Sequence, residues 1–127
     1  MNDIQTQSRI ATDETSRLIA SNKVAGTAVY DRQSERLGSI HNLMIGKSSG
    51  QVEYAVLTYG GLFGIGGEYY PLPWNVLRYD SDLNGYVVDL DRRLLENGPR
   101  YAENAHPHYD EDYARQIHTH YGLTYPF

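Results

Sequence analysis

Gln51-Val52-Glu53-Tyr54-Ala55-Val56-Leu57-Thr58-Tyr59 decides the fold class. Val52, Tyr54 and Val56 alternate onto one face of an extended chain, and Ala55, Leu57 and Tyr59 onto the other. Apolar residues on both faces predict a central, well-covered strand rather than an edge. Upstream, Gly46-Lys47-Ser48-Ser49-Gly50 reads as a turn whose glycines tolerate positive φ. Before it, Leu37 to Ile45 reads as a strand interrupted by Gly38, Asp31 to Arg36 as a polar turn, and Thr27 to Tyr30 as a short strand. Downstream, Glu68 to Leu72 reads as a strand broken by Pro73-Trp74, with Val76 to Tyr79 resuming. Asn84-Gly85 signals a hairpin into Tyr86-Val87-Val88-Asp89-Leu90. Asp91 is placed to cap one helical turn through Leu95, ended by Asn97-Gly98-Pro99. Short strands with turn chemistry between them predict a small all-β barrel or sandwich.

The flanks differ from this centre. The chain has 127 residues, which suits one domain. All but five of its Leu, Ile, Val and Phe residues lie between positions 18 and 95. The exceptions are Ile4, Ile10, Ile117, Leu123 and Phe127, so neither flank holds enough apolar surface to fold alone. Residues 1–16 read as a polar, mobile arm with one helical turn expected after Thr12. Residues 17–100 read as the barrel, and 101–127 as a C-terminal extension. In that extension Tyr109, Tyr113, Ile117 and Tyr121 recur every four residues, which is a helical stripe. A helix is expected from about Asp110 to Tyr121, with acids in its first turn and Gly122 ending it.

Net charge is −5, with the excess in the tail. That argues against a general nucleic-acid binder and against a binder of anionic membranes. No apolar run approaches a transmembrane span, and Met1 to Thr12 lacks the apolar stretch of a signal peptide. A cytoplasmic location without direct membrane insertion is therefore the expectation. The absence of cysteine excludes disulfides, thiol catalysis and zinc–thiolate sites.

Taken in order, these elements resemble the PRC-barrel family. This small β-barrel is known from the cytoplasmic part of the photosynthetic reaction-centre H subunit and from the C-terminal domain of the ribosome-maturation factor RimM. The residues carrying the match are Leu18-Ile19-Ala20-Ser21, Gly26-Thr27, Glu35-Arg36-Leu37-Gly38-Ser39-Ile40 and Glu53-Tyr54-Ala55-Val56-Leu57. Gly60-Gly61-Leu62-Phe63-Gly64-Ile65-Gly66, Pro71-Leu72-Pro73-Trp74 and Val87-Val88-Asp89-Leu90-Asp91 continue it. The tail, with Tyr113, His118, Tyr121-Gly122 and Tyr125-Pro126, resembles an extension found on stand-alone bacterial members. The resemblance implies a mainly β, PRC-type barrel and a role in assembly, with no catalytic residues and no cofactor to carry over. The chain shows neither the membrane helix that precedes the barrel of the H subunit nor the second barrel of RimM, so neither specific job transfers. The family often has Gly near Ser34 and Asp near Gly46, so those two turns are expected to differ locally.

The candidate chemistry is thin. Gly60 to Gly67 suggests a phosphate cradle, but a strand and not a helix follows, no Lys lies inside, and Glu68 would repel an anion. Leu62, Phe63 and Ile65 in that loop form a candidate apolar association patch. The tyrosine-rich stripe Tyr109, Tyr113, Ile117 and Tyr121 is a second one. Together they lead to an expected homodimer, with a monomer whose tail packs on its own barrel as the competing picture. His106 and His108, extended by Pro107, are the candidate metal ligands, whereas His118 and His120 point to different helix faces. Glu53, inside the strongest strand, and His41 are strand-borne acid–base candidates, and Gly-x-Ser-x-Gly is absent. Trp74 reads as a plug at one barrel end. The expectation is a non-enzymatic interaction or assembly module with a protein partner the sequence does not name. A small-ligand or metal-binding protein using the His-rich tail is the alternative.

Overall fold

The computed structural model describes residues 14–59 and 67–125. Six strands form one curled, half-barrel sheet in the order β4-β3-β2-β1-β6-β5. They are β1 Ala28–Tyr30, β2 Arg36–Ile45, β3 Val52–Tyr59, β4 Glu68–Pro73, β5 Leu77–Asp80 and β6 Gly85–Val88. The first four make an antiparallel meander. A 3-10 turn at Trp74–Val76 then carries the chain across, and the β5–β6 hairpin docks so that β6 lies parallel to β1.

The expected central strand is central: Tyr54, Ala55, Val56 and Leu57 of β3 are buried in succession, so both faces are covered. Gly38 does not interrupt β2. It pairs within the ladder opposite Val29 on one side and Tyr59 on the other. A Cβ there would run into the carbonyl of Thr58, so glycine is what allows β2 and β3 to close up. Gly85 serves the parallel seam, because a Cβ there would meet the Ala28 carbonyl at 2.6 Å. The turn residue of that hairpin is Asn84, at φ 50°.

Three corrections concern boundaries. β4 runs through Pro73 instead of stopping before it, because the edge position tolerates proline. Tyr69 exchanges both backbone hydrogen bonds with Tyr101, so its polar groups point off the outer edge of β4. Pro71 and Pro73 share that orientation by the two-residue period, and neither missing N–H takes a bond from the β3 ladder. Second, β6 ends at Val88, two residues early, where Asp89 donates its N–H to Val76. Third, the helical turn expected after Thr12 is not formed from Glu14 onward. There the chain folds into a tight ribbon with Glu14 bridged to Ile19 and the Thr15 hydroxyl accepting from the N–H of Leu18.

Three helices are found among the described residues: α1 Ser21–Val24, α2 Arg92–Glu96 and α3 Glu111–His120. α1 is one turn long and went unread in the sequence; it buries only Val24. Asp91 caps α2 by accepting from the N–H of Arg93. Asp110 caps α3 by accepting from the N–H of Tyr113. Gly122, at φ 73°, ends α3: its N–H reaches the carbonyl of Thr119, and Leu123 reaches that of His118. α3 packs against β4 and merges its apolar side with the barrel core. No helix among the described residues is long and apolar enough to cross a membrane.

Candidate interaction surfaces

The stripe of the tail exists and faces inward. Ile117, Ala114 and Tyr121 are buried in one cluster with Ile40, Leu57, Leu72 and Val88 of the barrel. Tyr109 and Tyr113 are half-buried at its rim, their rings edge-on with centroids 5.3 Å apart. The Tyr109 hydroxyl lies 3.3 Å from that of Tyr101, and its ring lies 5.8 Å from that of Tyr54. Burial pushes the phenols of Tyr54, Tyr109 and Tyr121 well up, and that of Tyr113 up to about 12. Gly98 makes room for the end of this helix, since a Cβ there would strike the Tyr121 hydroxyl. His120 Nε2 donates to the carbonyl of Leu94, joining α3 to α2 at 2.7 Å. The four stripe residues therefore seal the tail to its own barrel. Leu62, Phe63 and Ile65 lie outside the described residues.

The buried titratable side chains are taken up by the fold. Asp31, at the end of β1, accepts through Oδ1 from the N–H groups of Gln33 and Glu35, both at 2.9 Å. Its Oδ2 accepts from Arg92 Nη2 at 3.0 Å, tying the β1–β2 turn to α2. The sequence marked Asp31 only as a turn carboxylate; its distant partner Arg92 carried no local signal. His118 donates from Nδ1 to the carbonyl of Ala114 one turn back, which fixes the proton on that nitrogen. Its ring stands edge-on to Tyr54 at 5.6 Å and to Tyr125 at 5.4 Å.

The other candidates are dispersed. His41 is the extra residue of a bulge in β2, exposed, with its ring 4.4 Å from that of Tyr69. Glu53 is half-buried on β3. His106 lies against the ring of Tyr101 at 5.3 Å, and His108 is exposed. Among the described residues no three His, Cys, Asp or Glu side chains gather as a metal site. Trp74 is half-buried, edge-on to Tyr86 and packed against the core at the β4–β5 corner.

Two concavities lie among the described residues. An open basin of about 320 Å³ lies among Asp31, Arg32, Glu35, Leu90, Asp91 and Arg92, and its arginines are already paired with acids. Arg92 pairs with Asp31 and Glu35, and Arg32 with Asp89. A more apolar groove of about 130 Å³ lies between the Glu14–Ile19 ribbon and the rings of Tyr79 and Tyr86. It is rimmed by Leu18 and Tyr79, two of the three large apolar side chains exposed among the described residues, at 58% and 40%. This groove was not legible in the sequence, because it needs the ribbon to fold back over β5.

Comparison with known proteins agrees with the order of elements. No curated protein sequence matches the chain significantly. The model of the PRC-barrel domain family matches residues 17–95, from the ribbon through β6 to the last turn of α2. With more than half the chain matched and a curled six-stranded sheet beneath it, the protein belongs to the PRC-barrel domain family.

Proposed function

We infer that this protein is a non-catalytic association module that binds another protein through the barrel and its ribbon. The observation carrying the reading is the gathering of Leu18 and Tyr79 at the single groove between ribbon and β5. Exposed apolar side chains that cluster have a use for association that scattered ones lack. The buried polar groups support the non-catalytic half. Asp31 and His118, which burial would otherwise free for acid–base work, are held by backbone groups and by Arg92. The test is affinity capture from the native cell with tagged full-length protein beside Leu18→Asp. A protein held by the wild type and lost with the variant is the expected result. An unchanged set of captured proteins would overturn the placement, and turnover in a broad hydrolase screen that disappears with His41→Ala or Glu53→Gln would overturn the class.

A further inference from the structure

The two edges of the sheet are finished differently. The outer edge of β4 is closed by Tyr101, which exchanges hydrogen bonds of 2.9 and 3.0 Å with Tyr69. Among the described residues β5 is the last strand on the other side. Its orientation follows from one bond: Asp89 donates to the carbonyl of Val76, residues that stand opposite each other one step beyond Leu77 and Val88. Hydrogen-bonded pairs alternate along an antiparallel ladder, so Arg78 and Asp80 point their backbone groups at β6, and Leu77 and Tyr79 point theirs outward. The N–H of Leu77 turns back to Trp74. Outside the β5–β6 ladder, neither the carbonyl of Leu77 nor either backbone group of Tyr79 makes a backbone bond with a described residue. Such an edge is a template for another strand.

The side chains say which strand fits. Arg78 and Asp80 share one face of β5, with Nη1 and Oδ2 3.9 Å apart; the contact is stretched, Arg78 is exposed, and Asp80 is half-buried with its Oδ1 accepting from the N–H of Asp82. We propose that β5 pairs with the β5 of a second copy of this chain, antiparallel about a two-fold axis through Tyr79. In that register each Tyr79 N–H donates to the carbonyl of the partner's Tyr79. Arg78 stands opposite the partner's Asp80, and Asp80 opposite the partner's Arg78. These are non-hydrogen-bonded positions, where opposing Cα atoms approach to about 4.5 Å and side chains meet. A slip of one residue sets the inward-pointing backbone of Arg78 against the outward-pointing backbone of the partner's Tyr79 and breaks the bonds, and a slip of two sets Arg78 against its own counterpart. Backbone and charge thus select the same register, and the contact is self-complementary, as a two-fold interface must be. Leu18 and Tyr79 lie beside this edge and would be covered by it. The proposal rests on the association reading above and names one partner for the ribbon end of the barrel.

Sedimentation velocity on the full-length protein tests it. A reversible dimer with a dissociation constant on the order of 10 μM is expected. Tyr79→Pro removes only an outward N–H from the backbone and should weaken the dimer at least about tenfold with unchanged circular dichroism. Arg78→Asp and Asp80→Arg should each be monomeric alone, because like charges would face each other across the axis. Mixed together, the two variants should form a heterodimer, since each introduced charge then faces its opposite; a variant that had merely misfolded would not recover on mixing. A wild-type monomer at about 200 μM would overturn the proposal. So would a dimer that survives both charge changes, or a mixture no heavier than its components. A monomer would leave the capture experiment with Leu18→Asp to judge the association reading on its own.

Discussion

Ser34 carries a cost that the sequence alone half disclosed. It sits in the β1–β2 turn at φ 63°, a left-handed conformation that costs a residue with a Cβ about 1–2 kcal/mol. Its N–H donates to the carbonyl of Asp31, so the conformation is imposed by the turn that Asp31 organises. Its side chain is exposed. The resemblance to the family had marked this position, where glycine is common, as a departure; only the backbone shows what the departure means. Ser34→Gly should relieve the strain and give back part of the gain through the greater freedom of glycine in the unfolded chain, about 0.5–1 kcal/mol. The expected net effect is a stabilisation of about 0.5 kcal/mol and a rise in Tm of roughly 2 °C by calorimetry. A fall in Tm would mean that the serine hydroxyl contributes more than the left-handed backbone costs. Gly38 shows the reverse legibility. It looked like a flaw in a strand, and its role became visible only with Thr58 of the neighbouring strand in place, a contact no local pattern encodes.

The element most fully legible in the sequence is α3. Its acidic first turn, its four-residue stripe and its terminal glycine are all local signals and are where the spacing placed them, while Asp110, read as a first-turn acid, is the cap. What the spacing left open was the surface the stripe covers, because periodicity gives a helix its apolar side but not its neighbour. β5 and the ribbon illustrate the opposite limit. β5 is four residues long, and the Glu14–Ile19 turn is held by one bridge and one hydroxyl, so neither has a period to detect. The groove between them was therefore invisible. Residues 62, 63 and 65 carried a clear compositional signal, but they lie outside the described residues. The docking of α3 gives the element its own test. Asp110→Ala removes the acceptor from the N–H of Tyr113 and should cost about 1 kcal/mol. Because Ile117 and Tyr121 belong to the barrel core, that loss should appear in global unfolding and not as separate fraying of the tail. Hydrogen exchange in which the amides of α3 open well before those of β3 would contradict this.

The whole molecule is built on tyrosine where other small domains use leucine. Tyr54, Tyr70, Tyr86, Tyr101 and Tyr121 are buried, and the hydroxyls of Tyr54 and Tyr121 lack a hydrogen-bond partner among the described residues. A core of this kind couples stability to alkaline pH. An unfolded phenol ionises near pH 10. Burial raises that value for Tyr54, Tyr59, Tyr70, Tyr86, Tyr109, Tyr113 and Tyr121, because a phenolate is poorly solvated there. The sign follows directly. Below pH 10 both states hold these protons and nothing is lost. Above it the unfolded chain releases them while the folded chain retains them, so stability falls as pH rises through the shifted range, which for Tyr113 ends at about 12. Alkaline titration followed by tyrosinate absorbance and far-ultraviolet circular dichroism should therefore show two groups. The exposed phenols should ionise near pH 10 with the sheet intact, and the buried ones should ionise together with its collapse. Tyr54→Phe should shift that collapse to higher pH, since it removes one ionisable group and one unpaired buried hydroxyl, the latter a penalty of about 1–3 kcal/mol. Ionisation of every tyrosine in a single step near pH 10 with the sheet preserved would show that the tail does not seal the barrel as the structure has it.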